Sequence, residues 1–188
     1  MNLYNPVEEY ILENALPSTN ILESHFVNFD EEDFNNHKLI FNRQYQKRIT
    51  YNNYDTYGNP IFITKDSLEN IVYLWGYKGQ YPIAEIKNAS YSDVTGKIPV
   101  ATLDAITAKN EPSSSDWTTI NNLRTNLISA MVTTYTYKPL VGMTSKTDPR
   151  GFTIYYDYDA FGRLKGSYFY ENSVKKVLET YDYHYKDQ

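Results

Sequence analysis

The sequence predicts a mainly β chain: an antiparallel sheet carrying a short helical insertion. Tyrosine is over-used, with 20 among 188 residues, and tyrosine suits strands because its ring packs on a pleated surface while its hydroxyl reaches water. Many of these tyrosines alternate with other residues, as in "YYDYDAFGRLKGSYFY" (Tyr155 to Tyr170), and alternation is the period of a strand. A phrase also recurs. "YNNYDTYGNP" (Tyr51 to Pro60) aligns with "YYDYDAFGRL" (Tyr155 to Leu164), matching Tyr54 with Tyr158, Asp55 with Asp159 and Gly58 with Gly162.

Taken in chain order, residues 1–50 form a strand-rich lead-in. "ILESHFVNF" and "HKLIFNRQYQKRITY" have strand character and flank the acidic loop "DEEDFNN". Residues 51–88 form the first repeat block, in which "YDTYG" is followed by a second strand, "IVYLWGY" (Ile71 to Tyr77). Residues 89–131 depart from the rhythm. In "IPVATLDAITAKN" (Ile98 to Asn110), Val100, Leu103 and Ile106 fall at helical spacing, with Pro99 suited to a first turn. In "SSSDWTTINNLRTNLISAM" (Ser113 to Met131), Trp117, Ile120, Arg124, Leu127 and Met131 lie near one stripe, with Ser or Asp available as the N-cap. These helices are expected to pack on the sheet. Residues 132–188 return to the repeat, with "TTYTYKPLVGM" opening a third unit and "VLETYDY" (Val177 to Tyr183) closing the last. Equivalent tyrosines recur roughly every 20 to 25 residues, the length of a strand, turn, strand, turn unit.

The turns have their own chemistry. Asp-Ala-Phe-Gly predicts a type I turn closed by a glycine bulge, with Gly162 and its counterpart Gly58 at positive φ. Within strand "YYDYDA", Tyr156 and Tyr158 are expected on one face, and Tyr155 and Asp157 on the other. "TDPRG" (Thr147 to Gly151) is a further turn, where Pro149 presets φ and Gly151 relieves it. "KDSLEN" and "YENSVK" are read as longer polar connections.

Composition narrows the function. The net charge of −5 argues against nucleic acid, whose binders carry a basic stripe. The absence of cysteine removes disulfides, zinc thiolate sites and cysteine nucleophiles. No apolar run reaches membrane-spanning length. The N-terminal segment has acidic residues where a signal peptide has basic and then apolar ones. The expectation is therefore either a protein that stays inside the cell or a piece of a longer secreted chain, with no signal peptide in this segment.

The phrases "YDTYGN" and "YDAFGR", with "YLWGYKGQYPIAEI", "MVTTYTYKPLVGMTSKTDPRG" and "ETYDYHYK" between and after them, resemble the bacterial RHS/YD-repeat family, specifically its C-terminal region. The resemblance covers about Tyr51 to Gln188. It implies a YD-repeat sheet that belongs to a hollow RHS shell, secreted or on the cell surface. Its role would be display, encapsulation or adhesion. Its partners would be other RHS repeats or a protein pairing at the sheet edges, along with bacterial export machinery. The sequence departs from the toxin-bearing pattern, because it has a single DPxG and nothing beyond the last repeat except Lys186, Asp187 and Gln188.

No catalytic, cofactor or metal site is expected. His25, His37 and His184 lack metal-ligand spacing, and Asp30 to Asp33 lack the ligand pattern of a calcium loop. Asp55 and Asp159 could be a glycosidase pair, but their equivalent repeat positions point to turn capping. The repeat residues Tyr54, Asp55, Gly58, Tyr158, Asp159 and Gly162 are accordingly structural. The rival reading is a carbohydrate-binding module or sugar-active enzyme that uses the tyrosine face to stack on sugars, with glycans as its partners.

Overall fold

The computed structural model of the chain describes residues 5–12 and 45–184. The expected strand over 21–29, the acidic loop that follows it, and His25 and His37 lie outside the described residues. The strand expected over 37–51 is described from Tyr45 onward.

Ten strands form one antiparallel sheet: β1 (Glu8–Leu12), β2 (Tyr45–Tyr54), β3 (Pro60–Lys65), β4 (Glu69–Gly76), β5 (Tyr81–Lys87), β6 (Met131–Lys138), β7 (Gly142–Thr147), β8 (Thr153–Tyr158), β9 (Leu164–Glu171) and β10 (Val174–Thr180). Their spatial order is their sequence order, so every strand pairs with its neighbours along the chain. β2 runs across residue 50, so the expected border between lead-in and first repeat falls inside a strand.

Between β5 and β6 sit four short helices: α1 (Tyr91–Thr95), α2 (Val100–Thr107), α3 (Ser114–Asn121) and α4 (Leu123–Asn126). Two of them start with the same device. Ser90 and Ser113 each accept a bond from the backbone N–H three residues on, while Asp93 and Asp116 bond back to the serine N–H. This reciprocal cap satisfies donors that a helix start leaves open. α1 was not anticipated, and its Ser90-x-x-Asp93 pattern was the available signal.

The helices cover one face of the sheet. Val72 and Leu74 of β4, Ala84 and Ile86 of β5 and Val132 of β6 meet Val94, Ile98, Leu103, Ile106, Ile120 and Leu123, all buried. Each Val, Leu or Ile among them contributes about 1.5–3 kcal/mol relative to exposure. The stripe expected along 113–131 is corrected here. The anchors of α3 and α4 are Ile120 and Leu123, whereas Trp117 and Leu127 are partly buried and Met131 is exposed. Met131 is lost to the helix because it pairs with Lys87 as the first residue of β6, and strand pairing there places Val132 in the core.

Polar ties hold the insertion in place. Lys109 Nζ donates to both oxygens of Asp116, at 2.9 and 2.7 Å, and Lys78 N–H donates to the Lys109 carbonyl. Arg124 donates to the carbonyls of Asp148 and Thr147 and to Thr134 Oγ1, pinning α4 to β6 and to the β7–β8 turn.

The connections read as longer loops are tight reversals. Asp66 and Ser67 have φ of 48° and 59°, and Leu68 N–H closes on the Lys65 carbonyl. Glu171 pairs with Val174 directly across Asn172 and Ser173, whose φ values are 49° and 64°. Asn and Asp tolerate the left-handed region because their short polar side chains bond locally, which is why a glycine-free segment turns so sharply.

Candidate functional site

The repeated residues build a turn, and the turn has three copies. In the first, Asp55 N–H donates to the Asn59 carbonyl and Gly58 N–H to the Asp55 carbonyl. Asp55 Oδ1 accepts from the N–H groups of Tyr57 and Asn59, at 2.9 and 2.8 Å. In the second, Asp159 and Arg163, with Gly162, repeat the same backbone bonds, and Asp159 Oδ1 accepts from Phe161 and Arg163 at 2.8 and 3.0 Å. The third copy is Asp148 to Phe152, with Asp148 Oδ1 accepting from Arg150 and Phe152 and Gly151 closing on the Asp148 carbonyl. Gly58, Gly151 and Gly162 have φ of 84°, 86° and 75°. The turn expected over "TDPRG" is thus of the same kind as the other two. Its shared spacing, Asp then Gly three residues later, was the signal that unites it with the other two.

The residue after each glycine completes the unit. Asn59 Nδ2 donates to Asp55 Oδ2 at 3.1 Å, and Arg163 Nε donates to Asp159 Oδ2 at 2.7 Å. Both carboxylate oxygens of Asp55 and of Asp159 are thus occupied inside their own turns. The two N–H donors and the Arg163 guanidinium hold the Asp159 carboxyl below its usual range. Asp55 and Asp159 sit on turns six strands apart in the sheet order, so the structure does not bring them together as a carboxylate pair.

The repeat tyrosines do not occupy equivalent surroundings. Tyr54 Oη donates to the Pro6 carbonyl, tying β2 to the residues before β1. Tyr158 Oη donates to the Met143 carbonyl at 2.8 Å, and its ring occupies the space beside Gly142. A Cβ at Gly142 would come within 2.8 Å of Tyr158 Cζ.

Other tyrosines gather in two clusters. Tyr77, Tyr81 and Tyr137 meet at one end of the helix-covered core, with Tyr81 and Tyr137 stacked at 4.7 Å. The buried Tyr77 bonds with both the N–H and the carbonyl of Tyr137. Tyr155, Tyr168 and Tyr170 form the second cluster on β8 and β9, away from the helices. Tyr155 and Asp157 do share a face, because Lys175 lies 3.6 Å from the Tyr168 ring centre and bonds Asp157 Oδ2 at 2.8 Å. Burial pushes Tyr137 up to about 12, and burial with the Glu85 carboxylate pushes Tyr73 to about 12. Both phenols are therefore neutral hydrogen-bonding groups at physiological pH.

His184 is exposed beyond β10. Among the described residues, no group of three His, Cys, Asp or Glu side chains could hold a metal ion, and no helix is long and apolar enough to cross a membrane. No protein-family model matches the chain, and no curated protein is significantly similar to it.

Proposed function

We propose that the chain is a non-enzymatic structural segment of a larger β-shell of the RHS type, serving display, encapsulation or adhesion at a bacterial surface or in the surrounding medium. The observation that supports this reading is the last strand. Every residue of β10 is exposed, Val174, Val177 and Leu178 included, and among the described residues β10 pairs only with β9. A strand that is apolar and open along one edge is a template for another strand. Lys175, Lys176 and the register shift between Val177 and Glu179 are the devices by which natural edges discourage indiscriminate pairing. The partner is thus a specific one: a further repeat, or a protein that pairs at the sheet edge. Export machinery is the other partner that the resemblance implies, and glycans are the partner of the tyrosine-face alternative.

Multi-angle light scattering of the purified chain over a wide concentration range tests this. Self-association weakened by Val177→Lys is expected, and a strictly monomeric species throughout counts against the reading.

One observation favours the carbohydrate-binding alternative. Tyr155 and Tyr168 stack in nearly parallel planes, at 17°, beside the exposed Tyr170. Against it, the Lys175 ammonium already covers Tyr168. Reproducible glycan-array binding that is lost on Tyr170→Ala would establish the alternative.

A further inference from the structure

A cleft opens between α2 and the sheet at the end of β2. Its volume is about 160 Å³. Its floor is apolar, built from Ile61, Leu74, Leu103 and Ile106, with Trp75 alongside. An apolar cavity of about 150 Å³ is large enough for benzene, so one ring or one short branched chain fits.

The rim has a different character. Asp55 reaches the cleft from the β2–β3 turn, and Asp104 from α2. No Lys, Arg or His lines it. Asp55 spends its oxygens on uncharged donors, the N–H groups of Tyr57 and Asn59 and the Asn59 amide. Among the described residues, neither aspartate belongs to an ion pair. Two carboxylates without counter-charge thus border an apolar hollow. Asp104 lies on the exposed side of α2, four residues from Val100, an exposed apolar lip.

We infer that this cleft binds a small organic cation, in which a one-ring or short branched apolar stem carries an ammonium group. The stem occupies the floor beside Trp75, and the ammonium meets Asp104, with the charge of Asp55 reinforcing the attraction. A neutral ligand of the same shape gains only the apolar part, and an anionic one is repelled. This inference is independent of the shell reading: a scaffold segment and a free domain would bind the cation equally.

The probe is 2-phenylethylammonium, compared with 2-phenylethanol and 3-phenylpropionate, each titrated at neutral pH into the isotopically labelled chain. Amide and indole NMR shifts report binding. The ammonium is expected to shift Leu103 to Thr107 and the Trp75 indole, with a Kd of about 1 mM, typical of so small a ligand. The alcohol should bind about fivefold more weakly, and the carboxylate should leave the cleft unperturbed. Asp104→Asn, an exposed substitution whose own spectrum reports folding, should remove most of the ammonium's advantage over the alcohol. The inference is overturned if the ammonium shifts nothing in the cleft, if all three probes bind alike, or if Asp104→Asn leaves the discrimination intact.

Discussion

Replacing Gly162 separates backbone geometry from packing in the repeat turn. Its φ is 75°, and a Cβ built there meets nothing closer than Val141 Cγ1 at 3.9 Å. Space is therefore available, and the cost is conformational. The left-handed region costs an ordinary L-residue about 1–2 kcal/mol. Part of that is returned because the unfolded chain loses freedom when glycine is replaced. Gly162→Ala should then cost about 1 kcal/mol. Gly162→Asn should cost about half as much, since asparagine enters this region readily. Gly162→Val should cost about 2 kcal/mol or more, because a β-branched side chain is an outlier there. Gly151 has φ 86° and nothing within 4 Å of the added Cβ, so the same order should hold. The assay is urea unfolding of each variant without ligand, checking that the slope is unchanged. If valine and asparagine are tolerated equally at both positions, the conformational argument for the turn fails.

Gly142→Ala should destabilise by steric conflict instead, because the new methyl meets the Tyr158 ring; shrinking that ring with Tyr158→Leu in the same chain should recover part of the loss in thermal unfolding. Ile120→Ala should cost about 2–5 kcal/mol, since Ile120 is fully buried, whereas Trp117→Ala should cost clearly less because its ring is only partly buried; denaturant unfolding decides. Stability should fall in acid. Asp159 lies below its ordinary value through its N–H and guanidinium partners, and Asp116 does so because Lys109 and Ser113 outweigh its partial burial. A depressed folded pKa means that the stabilisation is present above the ordinary aspartate value and is lost as pH falls through the folded one. Urea midpoints should therefore decline below about pH 4, and Asp159→Asn should flatten that decline.

Much of the sheet was legible because its causes are local. Alternating tyrosines give strands, and Asp followed three residues later by Gly gives the turn, so the reversals at Asp55, Asp148 and Asp159 could be placed from the letters alone. The reversals at Asp66–Ser67 and Asn172–Ser173 were misread because they lack glycine, and the left-handed tolerance of Asp, Asn and Ser leaves a weaker trace. The helices were legible where a cap or a helical spacing marked them. The end of the helical stretch after α4 was not, because the competition between helix and strand for Met131 is settled by its pairing with Lys87, far away in sequence. The cleft was invisible for a similar reason: Asp55 and Asp104 come from elements that meet only in the folded chain.

The pairing of Lys87 with Met131 also bears on how such a chain changes over generations. The insertion leaves and re-enters the sheet at adjacent strands, so a deletion between these two positions could be closed by an ordinary hairpin without altering any other register. The obstacle to such an edit is the bare surface it would uncover, where Val72, Leu74, Ala84, Ile86 and Val132 would face water. Loss of the helices would require those positions to turn polar at nearly the same time. The helical segment and this patch of the sheet, which flanks it on both sides in the sequence, are for that reason one heritable unit.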